Sequence, residues 1–175
     1  MEIRETLLIG HTTGIGKAIY RALEIKEGVS KSTGFDINES HPNFNYKKYG
    51  CIILNAYDKF NSQLNTLFEI AENVDKQTLI IVIGSTSAYK TNPTDLYWAK
   101  YAIEKAAIVK AGRDLNTMGY NIAVLSPGTV DTHRNEGKTC DKLSPFSIAT
   151  SVLEIMDKYK DGILIEHTVI RTVKH

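Results

Sequence analysis

Cysteine is scarce in this 175-residue chain: there are 2, and Cys51 and Cys140 have neither metal-ligand spacing nor a disulfide-dense context. That argues against a disulfide scaffold or a cysteine-bound metal, and makes a reducing cytoplasm the expected setting. An excess of one charge is also lacking. Lys and Arg number 21 against 20 Asp and Glu, a net charge of +1. No Lys/Arg run stands out, so there is no electrostatic reason to expect a nucleic-acid partner. Long hydrophobic runs are absent too. The longest, such as Leu79 to Ile83, have the length of a strand and fall far short of a bilayer, so no membrane association is expected. The opening Met-Glu-Ile-Arg-Glu-Thr has no signal-peptide architecture, and no repeat, low-complexity segment or interdomain linker stands out.

What is present is an ordinary globular composition, 42% hydrophobic and 23% charged. The length fits one domain over residues 1–175 with a real core. Short apolar runs alternate with helical patterns, which indicates βα units and a parallel sheet. Thr6 to Ile9 reads as the first strand. Ile15, Ala18, Ile19, Ala22 and Leu23 then recur with helical period to about Ile25. Ser32 to Ile37 is the second strand and Cys51 to Leu54 the third. Phe60, Leu64, Leu67, Phe68 and Ala71 mark one face of the next helix. Leu79 to Ile83 is a buried strand, Asp95 to Asn116 a long helix, and Asn121 to Leu125 another strand. Pro145 opens a last helix to about Tyr159, and Ile163 to Val169 is the final strand. A parallel sheet needs both faces covered, so the expected fold is a Rossmann-like, doubly wound three-layer α/β/α sandwich. The stretch between Asp36 and Cys51 is too short for a helix, a strand and a second helix. It reads as a loop, with at most a vestigial edge strand near Asn43 to Tyr46, and the sheet is expected to be clipped at that edge.

Gly10-His-Thr-Thr-Gly14-Ile-Gly16 joins the first strand to the first helix. Glycines allow a sharp turn and close approach to a pyrophosphate, whose charge the free amides of the following helix would receive. The G-x-x-x-G-x-G spacing does not match the generic G-x-G-x-x-G fingerprint, and a ligand-free turn explains it about as well on its own. The flanking strand and amphipathic helix favour a dinucleotide. Asp36, twenty residues beyond Gly16 at the end of the second strand, would accept hydrogen bonds from the ribose hydroxyls and repel a 2′-phosphate. With no Lys or Arg in the turn, NAD is favoured over NADP.

Tyr101 and Lys105 stand four residues apart, so a helix places both on one face. A nearby ammonium stabilises a phenolate, and each pKa unit of lowering corresponds to about 1.4 kcal/mol of differential interaction. The spacing is weak evidence alone, because about one accidental Y-x-x-x-K is expected in a chain of this composition. Ser85, just past the strand Leu79 to Ile83, lies where parallel sheets open their crevice and could hold a substrate carbonyl; Ser87 is the fallback.

Together these segments resemble the short-chain dehydrogenase/reductase family. LIGHTTGIG (residues 8–16) resembles its TGxxxGIG cofactor turn and ILNAY (53–57) its NNAG strand end. IVIGS (81–85) resembles the strand carrying the active-site serine. YAIEKAA (101–107) is similar to the YxASKAA helix, and LSPGTVDT (125–132) to the PGxVxT segment on the nicotinamide side. The match is collinear and covers essentially the whole chain. The resemblance implies Tyr101 as general acid/base and Ser85 as the group orienting the carbonyl. Lys105 would bind the nicotinamide ribose and lower the Tyr101 pKa, and a relay-water asparagine would fall at Asn61, with Asn65 the alternative. It implies cofactor contacts from Gly10, Thr13, Gly14, Ile15, Gly16, Asp36, Asn55, Ala56, Lys105, Pro127, Gly128, Val130 and Thr132. Asn92-Pro93 after Ser85 favours Ser85 over Ser87.

The chain departs from the family in its short length, in the missing adenine-side segment, in Tyr57 where NNAG ends in glycine, and in about three extra residues between Pro93 and Tyr101. The expected activity is NAD(P)-dependent interconversion of a small-molecule carbonyl and alcohol. The alternative is a catalytically weak or inactive dinucleotide-binding sensor or scaffold. Arg134, Lys138 and Lys142 would suit an acidic substrate, but a solvated loop is the preferred reading of them. A homodimer or homotetramer is expected through the long helix, whose Ile103, Ala107 and Val109 read as apolar beyond the core face.

Overall fold

The structure is a computed structural model and describes residues 5–26, 32–35 and 45–173. Strands β1 (Thr6–Ile9), β2 (Ser32–Phe35), β3 (Cys51–Leu54), β4 (Leu79–Ile83), β5 (Asn121–Pro127) and β6 (His167–Ile170) form one sheet in the order β2-β1-β3-β4-β5-β6. Every pairing is parallel, in register from Thr6 opposite Cys51 and Cys51 opposite Leu79 to Leu79 opposite Asn121. From β1 the chain steps outward to β2, then returns past β1 to β3. That reversal creates a crevice at the carboxyl ends of β1 and β3, the place where open α/β sheets bind ligands.

Each central strand is a continuous apolar run because both faces are covered. Alternation sends Leu8, Ile53, Ile81 and Ala123 to one face, where α1 (Gly14–Ile25) and α4 (Pro145–Lys160) pack. Leu7, Ile52, Ile80 and Ile122 face the other side, against α2 (Ser62–Asn73) and α3 (Leu96–Thr117). The fold is thus the expected Rossmann-like three-layer sandwich. Among the described residues β2 is the edge strand, with no strand beyond it, as the clipped edge requires.

Several boundaries differ from expectation. α2 begins at Ser62, not near Phe60, because Asn61 takes a left-handed conformation (φ 67°) that breaks the helical path. Phe60 and Phe68 are both exposed; Gln63, Leu67, Ile70 and Ala71 form the buried face instead. β5 runs on to Pro127, and β6 begins only at His167. Tyr46, the end of the suspected edge strand, belongs to a 3-10 turn (Tyr46–Lys48) packed on α2, while residues 36, 37, 43 and 44 lie outside the described set. On α3, Val109 belongs to the core, whereas Ile103 is exposed. Among the described residues no helix is long and apolar enough to cross a membrane.

Candidate active site

The glycine turn is built by contact with the end of β3. Gly10 adopts φ +85°, and a Cβ there would lie 2.8 Å from the Ala56 nitrogen. A Cβ at Gly16 would lie 1.8 Å from the Gly10 carbonyl oxygen, so only glycine allows this approach of helix to turn. Asn55 donates from Nδ2 to the Gly10 carbonyl at 2.8 Å, and the amides of Asn55 and Ala56 both donate to the Ile9 carbonyl. Asn55 and Ala56 therefore hold the turn in shape. Thr13 is the N-cap of α1 and makes no side-chain cap bond, which leaves first-turn amides for an anion. The turn thus fits a pyrophosphate. Thr132, from the loop after β5, closes over it, its Cγ2 3.1 Å from where a Gly14 Cβ would stand. Asp36, the expected ribose partner, lies outside the described residues.

A cavity of about 360 Å³ opens beside this turn at the carboxyl ends of β4 and β5. Ile15, Ser85, Tyr101, Pro127, Gly128, Val130 and Thr132 line it, so seven of the sequence-derived site residues meet in one place. Ser87, Asn92 and Pro93 line it as well. Ser85 caps the 3-10 turn Thr86–Tyr89 by accepting from the Ser87 amide at 3.1 Å, which fixes its side chain. Its hydroxyl, not that of Ser87, is the side-chain group whose interaction lowers the Tyr101 pKa. Tyr101 is held by edge-on contacts with Tyr57 (ring centres 5.1 Å apart) and Trp98 (5.7 Å). Burial raises the Tyr101 pKa; Ser85, then the positive charge of Arg134, pull it back.

Lys105 does not reach the cavity. It lies one helical turn deeper, 2% exposed, with its ammonium hydrogen-bonded to Gln63 Oε1 and 5.0 and 5.3 Å from the ring centres of Tyr57 and Tyr101. Burial lowers its pKa to about 7, against the opposing pull of the Glu104 carboxylate. An ammonium whose charge is disfavoured by burial and that is turned toward Gln63 is a weak lever on the phenol. The lowering influence expected from Lys105 comes instead from Ser85 and Arg134. Asn61 differs as well. Its amide donates to Glu104 Oε2 at 2.8 Å, and its side chain makes no cap bond. Gly10, Gly14, Gly16, Thr13, Asn55 and Ala56 belong to the turn rather than to the cavity wall.

Sequence reasoning missed the buried polar cluster behind Tyr101. Gln63 is fully buried and donates from Nε2 to the carbonyls of Leu54 and Ile83, each at 3.1 Å, while accepting from Lys105. Glu104, 1% exposed, accepts from the amides of Asn61, Gln63 and Leu64, so a carboxylate on α3 caps the N-terminus of α2. The available signal was Glu104 and Lys105 falling at core-facing positions of an apolar helix face. Arg134 is exposed, as the solvated-loop reading expects, but it also borders the site. Its guanidinium lies 5.3 and 6.0 Å from the ring centres of Tyr57 and Tyr101 and lines the cavity.

No family model matches the sequence, and neither does any curated protein sequence. Solved structures do match. A short-chain dehydrogenase/reductase of the glucose/ribitol dehydrogenase type from Brucella melitensis is 15% identical, with 98% of each chain covered and a TM-score of 0.72. A 3-alpha-hydroxysteroid dehydrogenase from Pseudomonas sp. B-0831, complexed with NADH, is 13% identical with a TM-score of 0.71, over 96% of this chain and 94% of that one. An alcohol dehydrogenase from the archaeon Thermococcus sibiricus, complexed with 5-hydroxy-NADP, is 18% identical with a TM-score of 0.68, over 99% and 98%. The chain therefore has the fold of the short-chain dehydrogenases and reductases over nearly its whole length.

Proposed function

We propose that this protein is an NAD(P)-dependent oxidoreductase of the short-chain dehydrogenase/reductase type that interconverts a carbonyl and an alcohol, with NAD the preferred cofactor. One observation carries the reading: Tyr101 and its partner Ser85 line a cavity that opens beside a glycine turn able to receive a pyrophosphate. A bound nicotinamide dinucleotide supplies or accepts the hydride. The chain's own residues do the rest. The amides at the start of α1 bind the pyrophosphate, and Pro127 to Thr132 shape the nicotinamide side. Ser85 holds the substrate oxygen, and Tyr101 gives or takes its proton. Lys105 would contact the nicotinamide ribose. The preference for NAD rests on Asp36 and on the absence of a basic residue in the turn. A homodimer or homotetramer through α3 belongs to the same reading, supported by exposed Ile103 and tested by light scattering.

Fluorescence titration with NADH and NADPH, followed by a panel of carbonyl substrates, tests the activity. The expected result is tighter NADH binding and turnover that falls about 10²- to 10⁴-fold in Tyr101→Phe. Turnover that survives Tyr101→Phe refutes the acid/base role. A second reading, a dinucleotide-binding protein with little catalysis, is favoured by the burial of Lys105 beneath Tyr57. Cofactor binding without turnover on any carbonyl selects it.

A further inference from the structure

The walls of the Tyr101 cavity carry charge of one sign. Among the described residues, Lys90, Arg134 and Lys138 line it, and no aspartate or glutamate does. The loop that supplies Arg134 has acids close by, but they are engaged elsewhere. Asp131 pairs with Lys142 at 3.4 Å, and Glu136 pairs with His133 at 2.7 Å. Arg134 is left without a carboxylate partner among the described residues, its guanidinium over the Tyr57 ring at 5.3 Å and near the Tyr101 ring at 6.0 Å. Lys138 is steered to the same wall by Asn135 Oδ1 (2.6 Å) and lies 5.1 Å from the centre of the Trp98 ring. A cavity bordered by several cations and no anion concentrates negative ligands, and a guanidinium fork matches carboxylate and phosphate oxygens.

We propose that the substrate is an anionic carbonyl or alcohol, its carboxylate or phosphate held by Arg134 with Lys90 and Lys138 flanking, and its reacting oxygen at Ser85 and Tyr101. This rests on the oxidoreductase reading for the identity of the reacting group, but not for the anion site itself. Because Arg134 stands beside the Tyr101 ring, the anion and the carbonyl are only a few bonds apart, as in an oxo acid or a hydroxyketone phosphate. The basic residues of this loop are therefore not a uniformly solvated set. Arg134 and Lys138 face the cavity, while Lys142 is tied to Asp131 away from it.

Trp98 is the only tryptophan and lines the cavity, so its fluorescence reports binding without turnover. The experiment titrates acetoacetate against acetoacetamide, and dihydroxyacetone phosphate against dihydroxyacetone, without cofactor and with NAD⁺, checking that no NADH forms from the hydroxyketones. A parallel arm with NADH reads turnover. The charged member of at least one pair should bind about 10- to 100-fold tighter, and the pair that discriminates decides between carboxylate and phosphate. Arg134→Leu should bring that ratio close to one, Arg134→Lys should restore part of it, and Lys142→Ala should leave it intact. Arg134 is exposed, so far-UV circular dichroism should find the variants folded. Equal binding within both pairs, or a preference that survives Arg134→Leu, overturns the proposal. A preference with no oxidation of NADH by any of these ketones leaves the anion site standing and counts against the oxidoreductase reading. Turnover of neutral ketones without a preference does the reverse.

Discussion

Behind Tyr101 lie Lys105, Gln63 and Glu104; in front of it lie Ser85, Arg134, Lys90 and Lys138. On the inner side each of the three polar side chains is at most 2% exposed and has internal hydrogen-bond partners. On the outer side, Arg134 and Lys90 have no carboxylate partner among the described residues and border open space. The contrast separates two jobs that an i, i+4 spacing merges. Tyr101 and Lys105 share a helix face, yet one turn of α3 carries the chain from the cavity wall into the interior. The inner groups fix where the phenol stands, because moving them strands buried donors and acceptors. The outer groups are free to meet a ligand.

The largest break in this comparison comes from Glu104→Ala. Removing the carboxylate leaves the amides of Asn61, Gln63 and Leu64 without their acceptor and Lys105 without its nearest counter-charge. A loss of about 3–5 kcal/mol in urea unfolding is expected, the range for breaking a buried charged network. Arg134→Ala removes an exposed side chain whose guanidinium lies 6.0 Å from the Tyr101 ring centre, and should stay within about 0.5 kcal/mol of wild type. Equal costs for the two substitutions would erase the division between inner and outer sides.

That division was only partly legible in the sequence. The sheet and its helices were readable because continuous runs such as Leu79 to Ile83 can only be strands buried on both faces, and Ala18, Ile19 and Leu23 repeat with helical period. The glycine turn was readable because Gly10 and Gly16 occupy positions where any side chain would collide. Depth was not readable. Spacing gives the direction of a side chain around a helix but not its distance from solvent. Tyr101 and Lys105 thus read as one pair although burial separates them. The role of Gln63 depends on a contact 42 residues away in sequence, which no local pattern encodes. Arg134 looked like its loop neighbours because the Asp131–Lys142 pair joins residues eleven apart and the approach of Arg134 to Tyr57 and Tyr101 exists only in three dimensions.

The burial of Lys105 has a consequence for the dependence of stability on pH. Its folded pKa is about 7, whereas an unfolded lysine titrates near ~10.4. Between those values the unfolded chain binds the proton and the folded chain does not, so stability rises with pH across that window. The contribution is fully present above the unfolded pKa and is lost as pH falls through about 7. Subtracting the pH profile of Lys105→Met from that of wild type isolates this contribution. The unpaired Gln63 oxygen of the variant adds only a constant offset. The difference should climb by at most about 1.4 kcal/mol per pH unit between pH 7 and 10. A flat difference would mean that Lys105 keeps an ordinary pKa and is not held dry.

The smallest effect tests what keeps Lys105 dry. Tyr57 stands where the resembling motif has glycine, with its ring centre 5.0 Å from the ammonium. Tyr57→Ala removes two opposing influences. The ring face stabilises the charged form by roughly 0.5–2 kcal/mol, so losing it lowers the pKa. The ring also excludes water, so losing it relieves desolvation, the first cause of a fall from 10.5 to about 7. That fall corresponds to several kcal/mol at about 1.4 per unit, so even partial relief outweighs the lost ring contact. The Lys105 pKa should therefore rise by roughly one unit, followed at its side-chain carbon by NMR titration. A further fall would mean that the ring sustains the charge instead of starving it of water. The inner side would then be held by its aromatic lid as much as by Gln63.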